Sequence, residues 1–210
     1  MAAFSNYTEL KATLADWLNR DDLTAVIPSF ISLAEAQFNK DERFRNQMSI
    51  VRAQADFDSQ YEALPSDYLE MLNLTLVGTD GQSKKMGFLT LNQMDEYRAA
   101  FNTNGFPKYY SIVGKQLELL PVPGDTYSAE MVYYGRIPAL SSTNATNWLL
   151  TYHPDAYLYG ALLQSAPYLK DDDRVATWGT LYEGIANNIH EADDRALFAG
   201  AVIKARAKPF

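Results

Sequence analysis

Cysteine is absent from the 210 residues, which excludes disulfides, thiolate nucleophiles and cysteine-based zinc sites. Histidine is scarce: His153 and His190 are the only two, too few for a multi-histidine metal centre. No apolar run approaches the ~18 residues of a membrane span, so no membrane association is expected. Met1 to Leu10 has no positive stretch and no apolar core. A signal peptide is therefore not expected, and the chain is expected to fold in a cytoplasm. Internal repeats and low-complexity segments are also missing. What remains is ordinary globular composition, 47% hydrophobic and 21% charged, which argues against disorder over most of the length. The length suits one domain, or one domain carrying an insertion, with enough chain to bury a core unaided.

Basic residues are outnumbered, 18 against 26 acids, for a net charge of -8. Tight nucleic-acid binding needs clustered Lys and Arg, and this balance argues against it. It leaves open a surface that DNA slides past. The charge is uneven. From Arg195 to Phe210 there are four bases (Arg195, Lys204, Arg206, Lys208) and no acid, so an acidic body carries a basic tail. Such a pattern serves to engage another surface, although a solvated terminus is an equally simple reading. Tyrosine, with 14 copies, dominates an aromatic content of 13%. Its broad ring and polar tip suit both a core margin and an interface.

The periodicity is helical at both ends. Asn6 and Glu9 have capping-box spacing, ahead of Leu10, Leu14, Trp17 and Leu18. A second helix is expected from about Leu23 to Phe44, with Ile27, Phe30, Ile31, Ala34 and Phe38 inward and Pro28 in its first turn. The charge run Lys40 to Arg45 reads as a solvated helix end. Ser49 to Phe57 and Leu69 to Val77 read as strands, with near-strict alternation from Leu72 to Leu76. Tyr61 to Tyr68 reads as a turn around Pro65 and Asp67, and Asp80-Gly81 as a hairpin. Asn92 to Phe101 reads as a short helix with Met94, Tyr97 and Phe101 inward. Tyr109 to Val113, Gln116 to Leu120 and Ala129 to Tyr134 read as a local antiparallel meander, followed by a linker through Ile137 and Ser141. Helices return from His153 to about Leu169 and from Asp171 onward, with Gly200 as a stop. The expected fold is therefore α+β, mainly α. It is a bundle of about four helices (residues 1–48 and 149–199) with an inserted antiparallel β-rich region (49–148) and an extended tail (200–210).

Catalytic signatures are not found. A Ser–His–Asp site needs a base held by an orienting acid, and no Gly-x-Ser-x-Gly elbow is present. His190, among Glu191, Asp193 and Asp194, reads as a surface histidine tuned by acids. Asp171-Asp172-Asp173 lacks the alternating ligands and later acid of a calcium loop, and reads as a helix-start cluster. Gly78 and Gly81 are not followed by the Lys-Ser or Lys-Thr of a phosphate loop. The 26 acids offer no preferred glycosidase pair. The chain is expected to be a non-enzyme without metal or cofactor.

Four stretches, in this order, resemble a family. They are Leu64-Pro-Ser-Asp-Tyr-Leu-Glu70, Tyr110-Ser-Ile-Val-Gly-Lys-Gln-Leu-Glu-Leu-Leu-Pro121, Trp148-Leu-Leu-Thr-Tyr-His-Pro-Asp-Ala-Tyr-Leu-Tyr-Gly160 and Ala166-Pro-Tyr-Leu-Lys-Asp-Asp-Asp-Arg174. Together they look like the head-to-tail adaptor, or connector, proteins of tailed bacteriophages. The resemblance implies a structural virion protein at the head–tail junction, with copies in a ring of about twelve beneath the portal. Its implied partners are further copies of itself, the portal protein and tail nozzle or tail-tube proteins, with double-stranded DNA passing through unbound. It also implies an extended terminal segment reaching the portal. Here the candidates are Ala201, Val202, Ile203, Lys204, Arg206, Lys208 and Phe210. The alternatives are another tail ring or nozzle protein, a carbohydrate-binding module built on surface tyrosines, or a cytoplasmic scaffold with no virion role.

Overall fold

In a computed structural model, which describes residues 4–78, 81–169 and 174–199, Asn6 opens the first helix, α1 (Tyr7–Leu18). Its side-chain oxygen accepts from the Glu9 N–H at 3.0 Å, satisfying one donor orphaned at the helix start. The Glu9 carboxylate accepts from the Ser5 N–H at 2.7 Å rather than from Asn6. Asn19 ends the helix with φ 51°, a left-handed cap. α2 (Ile27–Phe38) is shorter than the sequence pattern implies. Single 3-10 turns flank it at Asp21–Leu23 and Glu42–Phe44, the latter started by Asp41 accepting from the Arg43 N–H.

The strands are β1 (Ile50–Phe57), β2 (Tyr61–Ala63), β3 (Tyr68–Val77), β4 (Ser83–Lys85), β5 (Gly87–Phe88), β6 (Tyr109–Val113), β7 (Gln116–Leu120) and β8 (Tyr127–Gly135). α3 (Leu91–Arg98) lies between β5 and β6. The last helices are α4 (Trp148–Tyr152), α5 (Pro154–Leu169) and α6 (Val175–Phe198). One sheet has the order β1-β8-β3-β4 and is antiparallel throughout; the other has the order β2-β7-β6-β5, with only β5 and β6 parallel.

This corrects the expected mainly-α bundle with a β-containing insertion. Six α-helices among the described residues are accompanied by two four-stranded sheets. The sheets enclose a hydrophobic cluster of their own, around Phe57, Leu74, Leu76, Leu117, Leu119 and Tyr133. The reason lies in β8. It leaves the β6–β7 hairpin and inserts between β1 and β3 in the other sheet. The expected local meander is thereby split in two, and each half contributes an apolar face to a shared core.

Several local readings also change. Tyr61–Ala63 is a strand paired with Gln116–Glu118, not a turn. Register shifts interrupt β3 between Tyr68 and Glu70 and between Met71 and Asn73. Leu72 consequently does not share the buried face of Leu74 and Leu76 and stands 41% exposed. Thr90, not Asn92, precedes α3, with its N–H donating to the Gln93 side chain at 3.0 Å. Met94 is buried, but Tyr97 faces outward. Asp80 and Asp171 to Asp173 lie outside the described residues, as does Gly200.

The described residues fall into two compact units, one within Met1–Met48 and Ile137–Phe210, the other Ser49–Arg136. In the helical unit, Phe38 packs against Phe44, Tyr157 and Tyr182, with ring centroids 5.0, 5.2 and 6.2 Å away. Gly160 leaves room for this ring, because a Cβ there would sit 2.7 Å from Phe38 Cζ. Ile137 and Leu140, read as linker, are buried in this core. Arg43 is not a solvated helix end. Its guanidinium donates to Asp41 at 2.7 Å, and to Glu183 and Asn187 on α6 at 2.5 and 3.0 Å.

Candidate interaction surfaces

The predicted partner-binding residues, Ala201, Val202, Ile203, Lys204, Arg206, Lys208 and Phe210, lie outside the described residues. The two histidines are both in the helical unit. Burial pushes the His153 imidazole below its ordinary value, opposed by Asp155, and His190 Nε2 lies 3.7 Å from Asp194. Among the described residues, no group of three or more metal-ligating side chains comes together. No described helix is long and apolar enough to cross a membrane.

One concave surface belongs to the β unit and forms from its turns. β2 pairs with β7 up to Ala63↔Gln116, and the Leu64 N–H then donates to the Lys115 carbonyl at 3.0 Å. Next, the chain folds into a turn, with the Tyr68 N–H on the Pro65 carbonyl at 3.1 Å. This turn carries the chain from one sheet to the other. The Asp67 carbonyl receives the Arg136 N–H at 2.7 Å, and the Asp67 carboxylate receives the Tyr133 hydroxyl at 2.9 Å. Burial, reinforced by that carboxylate, pushes the Tyr133 phenol up to about 12. Gly135 is needed beside it: a Cβ there would lie 2.8 Å from Val51 Cγ2 and 3.2 Å from Asp67 Oδ2. At the other lip, Gly114 takes φ 63°, a left-handed conformation glycine adopts without strain.

The resulting groove has a volume of about 920 Å³. Its walls are apolar at Leu64, Pro65, Tyr68 and Leu69, and its charged groups are Lys115 and Arg136. Neither cation has an ion pair among the described residues, and no acid lines the groove. Tyr68 also borders a smaller depression of about 400 Å³, lined by Met71, Phe88, Tyr110 and Ile112 with Glu70 at its edge. Phe88 is 57% exposed there. A third surface is aromatic. Tyr97, Phe101 and Tyr109 meet with centroids 5.4–6.4 Å apart, and the Lys108 ammonium sits 5.6 Å from the Phe101 ring. Such surfaces bind partners by apolar anchoring and cation contacts.

Sequence reasoning did not single out Lys115 or Arg136 as surface determinants. Two of the four stretches singled out above, 64–70 and 110–121, supply most of the groove, but they meet only through the β2–β7 pairing. A three-residue strand bounded by Gln60 and Leu64 gives too short a period to detect.

The family model described as SU10 adaptor protein matches residues 5–204 of the chain. No curated protein matches it.

Proposed function

The chain belongs to the SU10 adaptor protein family, and from that premise we propose that it joins the capsid portal to the tail as a ring. The coarser part follows from membership itself: the protein is a phage adaptor and a structural component of the virion. The proposal adds the assembly. Copies close head to tail into a ring of about twelve, bind the portal above and tail nozzle or tail-tube proteins below, and leave a channel for the genome. The protein's role is mechanical, not enzymatic.

The observation that carries the reading is the family match over nearly the full length. The charge supports it. Neutralised phosphates would trap a passing duplex, and a net charge of -8 works against such trapping. Grooves and exposed aromatic groups on the β unit supply the separate faces a heterologous contact requires. The basic segment from Ala201 to Phe210 is proposed to dock on an acidic portal patch, with Phe210 as its apolar anchor.

Tagged protein, full length and truncated before Ala201, tests the reading by capture from phage-infected lysate followed by mass spectrometry. The expected result is portal capture by the full-length chain alone. Capture by both forms removes the tail from the mechanism, and capture of no portal or tail protein by either form overturns the junction role.

A further inference from the structure

The edge strands of the two sheets differ in length. β4 and β2 have three residues each and β5 has two. β1 has eight, and it pairs with β8 in a register that runs without a shift. Among the described residues, no backbone hydrogen bond reaches its outer side. Edge strands are ordinarily kept short, bulged or broken by proline, because unpaired N–H and C=O groups recruit other strands. β1 has none of these devices. Its two faces differ. Val51, Ala53 and Ala55 are half-buried against the β cluster, whereas Ile50, Arg52, Gln54 and Asp56 are exposed. Arg52 lies 3.3 Å from Glu130 yet keeps 69% of its side chain exposed. Asp56 has no ion pair among the described residues.

We propose that β1 of one copy pairs antiparallel with β1 of a second copy, about a two-fold axis through Gln54. The strand's own sequence selects this partner and this register. Arg52 of each copy stands opposite Asp56 of the other, which forms two cross-strand charge pairs. On the opposite face Ala53 meets Ala55 and Val51 meets Phe57, so the apolar face that covers the β cluster continues across the axis. Gln54 meets its own counterpart, and the two amides supply donor and acceptor to each other. Antiparallel registers change in steps of two residues, set by the alternation of outward N–H and C=O groups. One step sets Arg52 against Gln54. The opposite step sets it against Asp58, past the strand end, with fewer strand residues paired. Only the register on Gln54 matches both charges within the strand. The contact is isologous and closes at two copies, unlike the heterologous ring contacts proposed above. It is therefore a form of the chain outside the ring, in which the long edge is occupied and kept from other strands. The paired area is small, so the dimer is expected only at high protein concentration.

Charge exchange, read by sedimentation equilibrium of the full chain, tests the pairing. The parent is expected to pass from monomer to dimer as concentration rises and to stop there. Arg52→Asp sets acid against acid at both pairs, and Asp56→Arg sets base against base. Each is expected to weaken self-association by roughly 3–30-fold, because two exposed cross-strand pairs are lost at once. An equimolar mixture of the two variants is expected to recover the parent's dimer, since the acids of one copy then face the bases of the other. That recovery also establishes that both variants fold. In a second arm, the absence of native cysteine lets Gln54→Cys be joined to its own counterpart by a short bis-maleimide. Dimers and no larger species are expected, and Ser83→Cys on the β4 edge is expected to give fewer. The proposal is overturned by a parent that stays monomeric or grows past the dimer, by single variants that associate like the parent, by a mixture as weak as its components, or by equal cross-linking at positions 54 and 83. Portal capture is read separately, so any of these results leaves the junction role standing.

Discussion

Each unit buries a carboxylate, and each gives it a different kind of partner. In the helical unit, Glu35 accepts from the Leu140 N–H at 2.7 Å and the Tyr157 hydroxyl at 3.1 Å, while Asn147 donates to the same hydroxyl at 2.6 Å. These donors are neutral. Desolvation dominates and pushes the Glu35 carboxyl up from its ordinary value. In the β unit, Glu118 takes the Arg98 guanidinium at 2.5 Å and the Gln60 amide at 3.2 Å. There a cation compensates the buried charge. The contrast extends to packing. Among the described residues, the helical cluster holds 24 buried apolar residues and the β cluster 11. Yet the β unit presents eight of the fifteen large exposed apolar side chains, Phe88 and Leu91 among them. Among the described residues the helical unit thus buries the larger apolar core, while the β unit, with the smaller core, leaves about as many large apolar side chains exposed.

The largest test of that division is Phe38→Ala. It empties the centre of the aromatic cluster and is expected to cost ~3–5 kcal/mol by urea unfolding. A loss below ~2 kcal/mol would mean the helical core is not organised around this ring. Next comes Arg98→Met, which leaves Glu118 with Gln60 alone. Arg98 is 46% exposed, so solvent screens part of the pair, and the expected loss is ~1–3 kcal/mol. Adding Glu118→Gln is expected to recover part of it. If Arg98→Met is neutral, the cation is not what sustains the buried carboxylate.

Glu35→Gln sharpens the comparison through pH. The folded carboxyl is raised above 4.5, so above that pH the native state holds a proton the unfolded chain has released. Stability from this group is therefore present at low pH and lost as pH rises through the folded value. Urea midpoints from pH ~4 to ~8 are expected to show Glu35→Gln gaining on the parent as pH rises. Parallel curves would refute the neutral-donor account. The smallest effect belongs to Arg52→Ala. Its partner Glu130 lies 3.3 Å away, but Arg52 is 69% exposed, so thermal unfolding is expected to register at most ~0.5 kcal/mol.

The helices were legible where one face repeats without interruption. Leu10, Leu14 and Leu18, and Ile27, Phe30, Ile31, Ala34 and Phe38, are all buried as their spacing implies. β8 was legible as a strand for a like reason, since its burial alternates and alternation is a local property, while β6 and β7 were legible from the Gly114-Lys115 turn between them rather than from alternation. The partner of β8 was not legible, because pairing between Tyr127–Gly135 and two strands more than fifty residues earlier leaves no trace in its own period. Leu72 shows the limit most sharply: its neighbours alternate correctly, and a register shift that sequence does not announce turns it outward.

The surfaces divide in the same way. Composition alone established the absence of cysteine chemistry, the acidic balance and the basic segment from Ala201 to Phe210, because charge and residue type add up without regard to distance. Tertiary structure decided that Leu64, Lys115 and Arg136 share one groove, and that Glu35 meets Tyr157 across 122 positions of sequence. A binding surface is a matter of proximity in space, and only the pairing of distant strands and the packing of distant helices create it.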